Sequence, residues 1–332
     1  MASSAAGIIF SSLNNNTLSR LTSDRTVAAI PFTCRYRLVD FCLSNLVNAN
    51  ISNISIVANY NYRSLMEHIG SGKDWDLARR ESGINFVSPF QTAYNSDGSM
   101  FSTRMEALKS MKTEYIDELK EEYVVLLDSD QVLNIDIADV IKAHEKTDAS
   151  VTFVTVDVDK TYTAKHPQMM LSSVAGKVTQ IALSAAYDER HPEHSVGIFV
   201  MKTTYLKALI DEAEAFGLNS LTQLFLKNCK SSNYRTYKYS GYVASIYSFN
   251  DYYAHSMELV KSEKARDSIF GKKSRKDKNL SEEDLLKEAL SSNGLDINNL
   301  PADENFVISD AGSSSSAAPT GGDAFDPDGI LG

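Results

Sequence analysis

The chain has 332 residues, 43% of them hydrophobic and 23% charged, with a net charge of −10. That length supports one large α/β domain or two smaller ones with a sizeable core, and the acidic balance excludes general nucleic-acid binding. No apolar run reaches the length of a membrane span, and Cys34, Cys42 and Cys229 are too few and too scattered for a disulfide framework or a zinc site. A reducing, cytoplasmic setting is therefore expected, and the opening apolar run, with no Lys or Arg before it, is too short for a secretory signal.

In chain order, Gly7-Ile8-Ile9-Phe10 reads as a first buried strand. Further strands are expected at 54–58, 84–87, 123–127 and 150–156, with amphipathic helices at 36–47, 62–69, 105–118 and 137–145. Strands alternating with helices at this spacing predict an α/β fold with a mostly parallel, Rossmann-like sheet flanked by helices. From 168 to 202 the pattern changes to three consecutive strands, 169–174, 178–183 and 197–202, as in an added meander. Helices follow at 205–216 and 221–228, strands at 234–237 and 242–248, and a helix at 251–261. Composition shifts again at Gly271. The expected organisation is a domain over 1–270, a linker with a short helix over 271–308, and a disordered tail over 309–332.

The segment after the first strand is the most informative. Ser11 to Thr22 stands where a nucleotide-binding α/β domain wraps phosphates with backbone N–H groups. Glycines serve there because the backbone must reach positive φ and approach the ligand closely. This segment contains none.

Three blocks carry a resemblance. The first is Asp24-Arg25-Thr26-Val27-Ala28-Ala29-Ile30-Pro31-Phe32, continuing through Arg35-Tyr36-Arg37-Leu38-Val39-Asp40-Phe41 and Leu43-Ser44-Asn45-Leu46-Val47-Asn48. The second is His68-Ile69-Gly70-Ser71-Gly72-Lys73-Asp74-Trp75-Asp76-Leu77, and the third Gly241-Tyr242-Val243-Ala244 running on to Asp251-Tyr252-Tyr253. Over about residues 6–270 the chain resembles the ADP-glucose pyrophosphorylase (glucose-1-phosphate adenylyltransferase) family. It looks closest to the GlgD-type regulatory subunit of bacterial glycogen synthesis.

The resemblance implies a nucleotide-diphospho-sugar transferase-like fold, and it implies losses. The family's phosphate loop, Gly-Gly-x-Gly-x-Arg-Leu, puts its glycines on Ser12, Leu13 and Asn15 and its arginine on Thr17. A phosphate-contacting lysine falls on Val27, and the lysine of a sugar-phosphate motif falls on Ser184. One metal-binding aspartate becomes Ser245, which leaves Asp130 as the surviving metal carboxylate. Lys73 and Arg104 are the remaining candidate phosphate contacts. Phosphoryl-type transfer depends on positioning and on neutralisation by Mg²⁺ and cationic side chains. Losing one such group costs on the order of 100–1000-fold in rate, so very low activity is expected.

Other residues have blander readings. Asp128 and Asp136 read as strand-end or cap residues, Arg35, Arg37 and Asp40 as a loop-to-helix anchor, and Trp75 as packing. The six histidines show no metal spacing, and no nucleophile–base constellation appears. The resemblance implies a β-helix after the first domain, but no hexapeptide repeats follow Gly271. The tail is expected to be a lineage-specific replacement or the product of a truncated reading frame. The leading expectation is a regulatory, catalytically weak subunit of the adenylyltransferase. It would pair with a catalytic subunit, with Mg²⁺ serving the partner's reaction and a sugar phosphate or nucleotide as a possible effector. The alternatives are an active sugar-1-phosphate nucleotidyltransferase, or a non-enzymatic sensor or scaffold for sugar phosphates or sugar nucleotides.

Overall fold

The computed structural model describes residues 4–11, 18, 20–33, 36–59, 61–78, 83–88 and 101–270. The expected linker, its short helix and the expected tail lie outside the described residues, as do Ser12, Leu13, Asn15, Thr17, Cys34 and Arg35.

β1 (Ala5–Phe10) shows why the strands read as unbroken apolar runs: both its faces are covered. Ala6, Ile8 and Phe10 enter one core cluster, shared with α3 (Arg104–Ser110), α5 (Thr203–Ala215) and α6 (Leu221–Asn228). Ala5 and Ile9 enter a second on the opposite face, with α1 (Leu38–Asn48), α2 (Arg63–Ile69) and α4 (Ile137–Thr147). The period-two alternation of β1 thus divides two helical layers, as an α/β/α sandwich requires.

Among the described residues, one nine-stranded sheet runs β5-β4-β1-β6-β11-β8-β12-β10-β9. Here β4 is Asn53–Val57, β5 Gly83–Val87, β6 Tyr123–Asp128, β8 Val151–Asp157, β9 Thr163–Val174, β10 Lys177–Ala186, β11 Glu193–Lys202 and β12 Tyr234–Lys238. Its first four strands are parallel, and β8 and β12 are parallel to each other. β9, β10 and β11 bring in antiparallel pairings, as the meander pattern predicts. Four short strands among the described residues lie outside the main sheet. β2 (Pro31–Phe32) pairs with β3 (Tyr36–Arg37), and β7 (Gln131–Val132) pairs with β13 (Ala244–Ser245).

β11 changes neighbours part-way along. Residues 198–202 pair with β6, whereas Glu193 and His194 pair with β9. The switch coincides with a bulge between Ser195 and Phe199, where Gly197 takes φ +69°. The fork between β6 and β9 opens beside this bulge.

Three local details depart from the sequence reading. The helix expected at 105–118 ends at Ser110. A wider turn over Lys112–Ile116, with hydrogen bonds such as Ile116 N–H to Met111 C=O, then brings both Met111 and Ile116 into the core. The strand expected at 242–248 pairs only over β13. An additional helix, α8 (Glu263–Phe270), follows α7 (Phe249–Lys261). Its polar sequence hides it: only Ala265 and Ile269, four apart, are buried.

Candidate functional site

β6 ends at Asp128 on the carboxyl edge of the parallel strands, where open α/β sheets build their sites. A cavity of about 330 Å³ opens there. Phe10, Asp128 and Asp130 form one wall, and Ser195 and Gly197 of the β11 bulge another. Thr103 and Arg104 close a third side, and Tyr247 comes from beyond β13.

Arg104 is placed by a chain of local bonds. Asn59, 4% exposed, exchanges two hydrogen bonds with the backbone of Phe101, giving to its C=O (2.7 Å) and accepting from its N–H (3.0 Å). Thr103 then caps α3 by accepting from Glu106 N–H (3.2 Å), while Glu106 accepts from Ser102 N–H (2.7 Å). Arg104 is the first residue of α3. A cation there is disfavoured by the helix dipole, so it needs an anion. Asp128 supplies one: Arg104 Nε donates to Oδ1 at 2.7 Å and Nη2 donates to Oδ2, a two-pronged pair.

Asp130 sits two residues further on. Its Oδ1 accepts from Gln131 Nε2 (3.1 Å), and Gln131 Oε1 accepts from Ser245 Oγ (2.7 Å). The same Gln131 amide donates to Tyr247 Oη at 2.8 Å. The register of β13 on β7, with Ser245 opposite Gln131, fixes this bridge. Burial, then repulsion from Asp128, pushes the Asp130 carboxyl up to about 7, against the pull of Arg104. Burial opposes the charge on Arg104, but Asp128 more than offsets it and the net shift is upward. His194, beside Tyr247, is held down to about 4 by burial and is neutral at pH 7.

The structure brings together three of the residues singled out from sequence: Arg104, Asp130 and, through Gln131, Ser245. Lys73 lies exposed in a short turn, Val27 is fully buried in the core, and Ser184 on β10 bonds its own strand, donating to Ala186 C=O; none of the three lines the cavity. Asp136 caps α4 by accepting from Asp139 N–H. Asp40 bonds His68 Nε2 (2.7 Å) and the Arg37 N–H, while the Arg37 guanidinium turns to Ser64. Trp75 packs edge-on to His68. Sequence reasoning missed Gln131, Ser195, Gly197 and Tyr247. Only the glycine inside the run His194-Ser195-Val196-Gly197-Ile198-Phe199 carried a signal, that of a bulge.

The strand-end carboxylate stands above a parallel sheet, at the edge where open α/β folds place their ligands. The nucleotidyl transferase family profile matches residues 7–165. Residues 7–165 belong to the nucleotidyl transferase family. A glycogen biosynthesis protein GlgD from Bacillus subtilis is 34% identical over 258 residues, covering 76% of this chain and 63% of that protein. A glucose-1-phosphate adenylyltransferase from Mycoplasma mobile is 23% identical, covering 75% of this chain and 65% of its own length. The chain thus spans just under two thirds of each of these two relatives. A crystal structure from Bacillus anthracis, named as a candidate glucose-1-phosphate thymidylyltransferase in complex with a sucrose, superposes with a TM-score of 0.59 at 16% identity. It covers 81% of this chain and 98% of that one, and it shows the fold.

Nucleotidyl transferases commonly use Mg²⁺, so the residues present can be tested for fit. A divalent ion needs free carboxylate oxygens. Asp128 gives both of its oxygens to Arg104, Asp130 gives one to Gln131 and resists ionisation, and the position across β13 is a hydroxyl. No group of three or more metal-ligating side chains occurs among the described residues. This nucleotidyl transferase site does not fit Mg²⁺. It is a polar cavity with a fixed cation. No helix among the described residues is long and apolar enough to cross a membrane.

Proposed function

We propose that this chain is a regulatory subunit, catalytically weak or inactive by itself, of a glucose-1-phosphate adenylyltransferase in glycogen biosynthesis. Its partner would be a catalytic subunit that makes ADP-glucose and pyrophosphate from ATP and glucose 1-phosphate with Mg²⁺. The observation that carries this reading is the Arg104–Asp128 pair, which sets a side-chain cation on Asp128, two residues from Asp130, the candidate metal carboxylate. Electrostatic stabilisation of the transferring phosphates is the largest lever such an enzyme has, and a clamped arginine cannot move with the reaction as a hydrated metal does. The likeness to the B. subtilis glycogen biosynthesis protein supports the pathway.

The cavity itself remains large enough for a small polar ligand. Ligand recognition without chemistry is therefore part of the same reading, with the site reporting sugar-phosphate supply to the catalytic partner.

The test is pyrophosphate release by the purified chain alone, by a catalytic subunit alone, and by the two co-expressed and co-purified. The expected result is no turnover alone and altered turnover or effector response in the pair. Robust turnover by the chain alone, or failure of the two to co-elute, rejects the proposal.

A further inference from the structure

The guanidinium of Arg104 uses Nε and Nη2 on Asp128, and its Nη1 makes no hydrogen bond among the described residues. The side chain is 36% exposed, and the surface it exposes belongs to the cavity wall. One edge of the cation therefore neutralises the Asp128 carboxylate, and the other faces open space. Around that space stand hydroxyls and amides: Ser102, Thr103, Gln168, Ser220 and Thr222. Ser195 lines the same cavity, 6% exposed, and its Oγ has no hydrogen-bond partner among the described residues. Buried hydroxyls are nearly always bonded, so this one awaits a partner that the protein itself does not provide. Asp128 and Asp130 are the only acids in the lining among the described residues, and both are already engaged.

We propose that Arg104 is a resident replacement for the divalent metal: it neutralises Asp128 and presents its Nη1 edge to the phosphate of a sugar phosphate, so that ligand binding in this cavity needs no metal ion. The proposal rests on reading the cavity as the ligand end of a transferase fold. It does not require the chain to be regulatory, so turnover or partner binding can fail while it stands.

A guanidinium suits this task. It is always charged, it is planar, and it can engage a carboxylate on one edge and a phosphate on the other. Polar groups around it satisfy sugar hydroxyls.

Two measurements on the full chain test it. Calorimetric titration with glucose 1-phosphate is run in EDTA and again in millimolar Mg²⁺. Equal affinity within about twofold is expected, with at least a tenfold loss in Arg104→Ala and partial retention in Arg104→Lys. Binding that requires Mg²⁺, binding unchanged in Arg104→Ala, or no binding under either condition overturns the proposal. The second measurement is Mn²⁺ binding by electron paramagnetic resonance. The wild-type chain is expected to take up none at 1:1 stoichiometry up to about millimolar Mn²⁺. Arg104→Ala combined with Ser245→Asp, checked for folding by circular dichroism, is expected to gain a site and to melt higher in Mn²⁺. Stoichiometric Mn²⁺ on the wild-type chain, or none on the folded double variant, overturns the proposal.

Discussion

Gly197 and Asp128 compete for the same space. A Cβ built on Gly197 would lie 2.2 Å from Asp128 Oδ2, and the Gly197 backbone takes φ +69°. The bulge that swings β11 from β6 towards β9 is therefore also what makes room for the carboxylate that Arg104 holds.

Gly197→Ala is expected to cost about 2–4 kcal/mol in urea denaturation, from left-handed strain plus the clash. In an Asp128→Ala background the carboxylate part of the clash disappears, leaving only the residue-128 Cβ at 3.0 Å. There the same change should cost mainly the strain, about 1–2 kcal/mol. Gly217→Ala is the control, since φ is +64° but nothing lies within 4 Å. It should resemble the Asp128→Ala case. Equal costs for Gly197→Ala in both backgrounds would contradict the shared-space reading.

The ion pair itself is open to a double-mutant cycle. Arg104→Ala leaves Asp128, a side chain 9% exposed, without its counter-charge. A loss of about 2–4 kcal/mol is expected, less than for a fully dry pair because Arg104 borders the cavity. Asp128→Ala should cost a comparable amount, and the double variant less than the sum by roughly 1–3 kcal/mol. Strict additivity of the two denaturation shifts would mean that the pair contributes no coupling.

Much of this architecture was legible in the sequence, and the limits have physical causes. The strands around β1 and β6 announced themselves because two-sided burial demands continuous apolar runs. Arg104 and Asp130 could be picked out as charged residues beside those runs. Their relationship could not, because Arg104 meets Asp128, which read as a strand-end residue, and the pairing depends on tertiary packing of α3 against β6. Gln131 was invisible for a similar reason. Its role comes from the two-residue β7–β13 pairing, which is too short to leave a periodic pattern. Ser12, Leu13, Asn15 and Thr17 lie outside the described residues.

Asp130 gives a pH-dependent test. Its folded pKa, pushed up to about 7, exceeds its unfolded value of about 3.8. Between those values the folded state holds more proton than the unfolded state, so this group's contribution to stability falls as pH rises from about 4 to 7. Asp130→Asn removes that penalty. The variant should match the wild type near pH 4 and exceed it by about 1–3 kcal/mol at pH 8, allowing for water in the cavity. Denaturation midpoints at pH 4 and pH 8 check it, and a difference that is the same at both would rule out the elevated carboxyl.

His144 has the opposite sign and lies away from the cavity, so it separates burial from site chemistry. Its ring is fully buried between α4 and β8, with Nδ1 2.9 Å from Thr152 Oγ1, Nε2 without a partner among the described residues, and Tyr123 edge-on at 5.5 Å. Burial, assisted by the charge on Lys202, holds its pKa down to about 4. The unfolded chain, with an imidazole near 6.5, therefore binds the extra proton first. Stability contributed by the neutral ring is fully present above about 6.5 and is lost as pH falls towards 4, reaching on the order of 3 kcal/mol. The paired carboxylates Asp24, Asp148, Asp188 and Glu212 have lowered pKa values and lose their contributions as pH falls below the ordinary carboxylate range, so the two windows do not coincide. His194 and Asp130 titrate within the His144 window but are common to wild type and variant, so they cancel in the difference. His144→Gln should thus be less stable than wild type at pH 7.5 through poorer packing, and the gap should narrow steadily down to pH 4. Parallel stability curves across that range would show that the buried ring carries no such linkage.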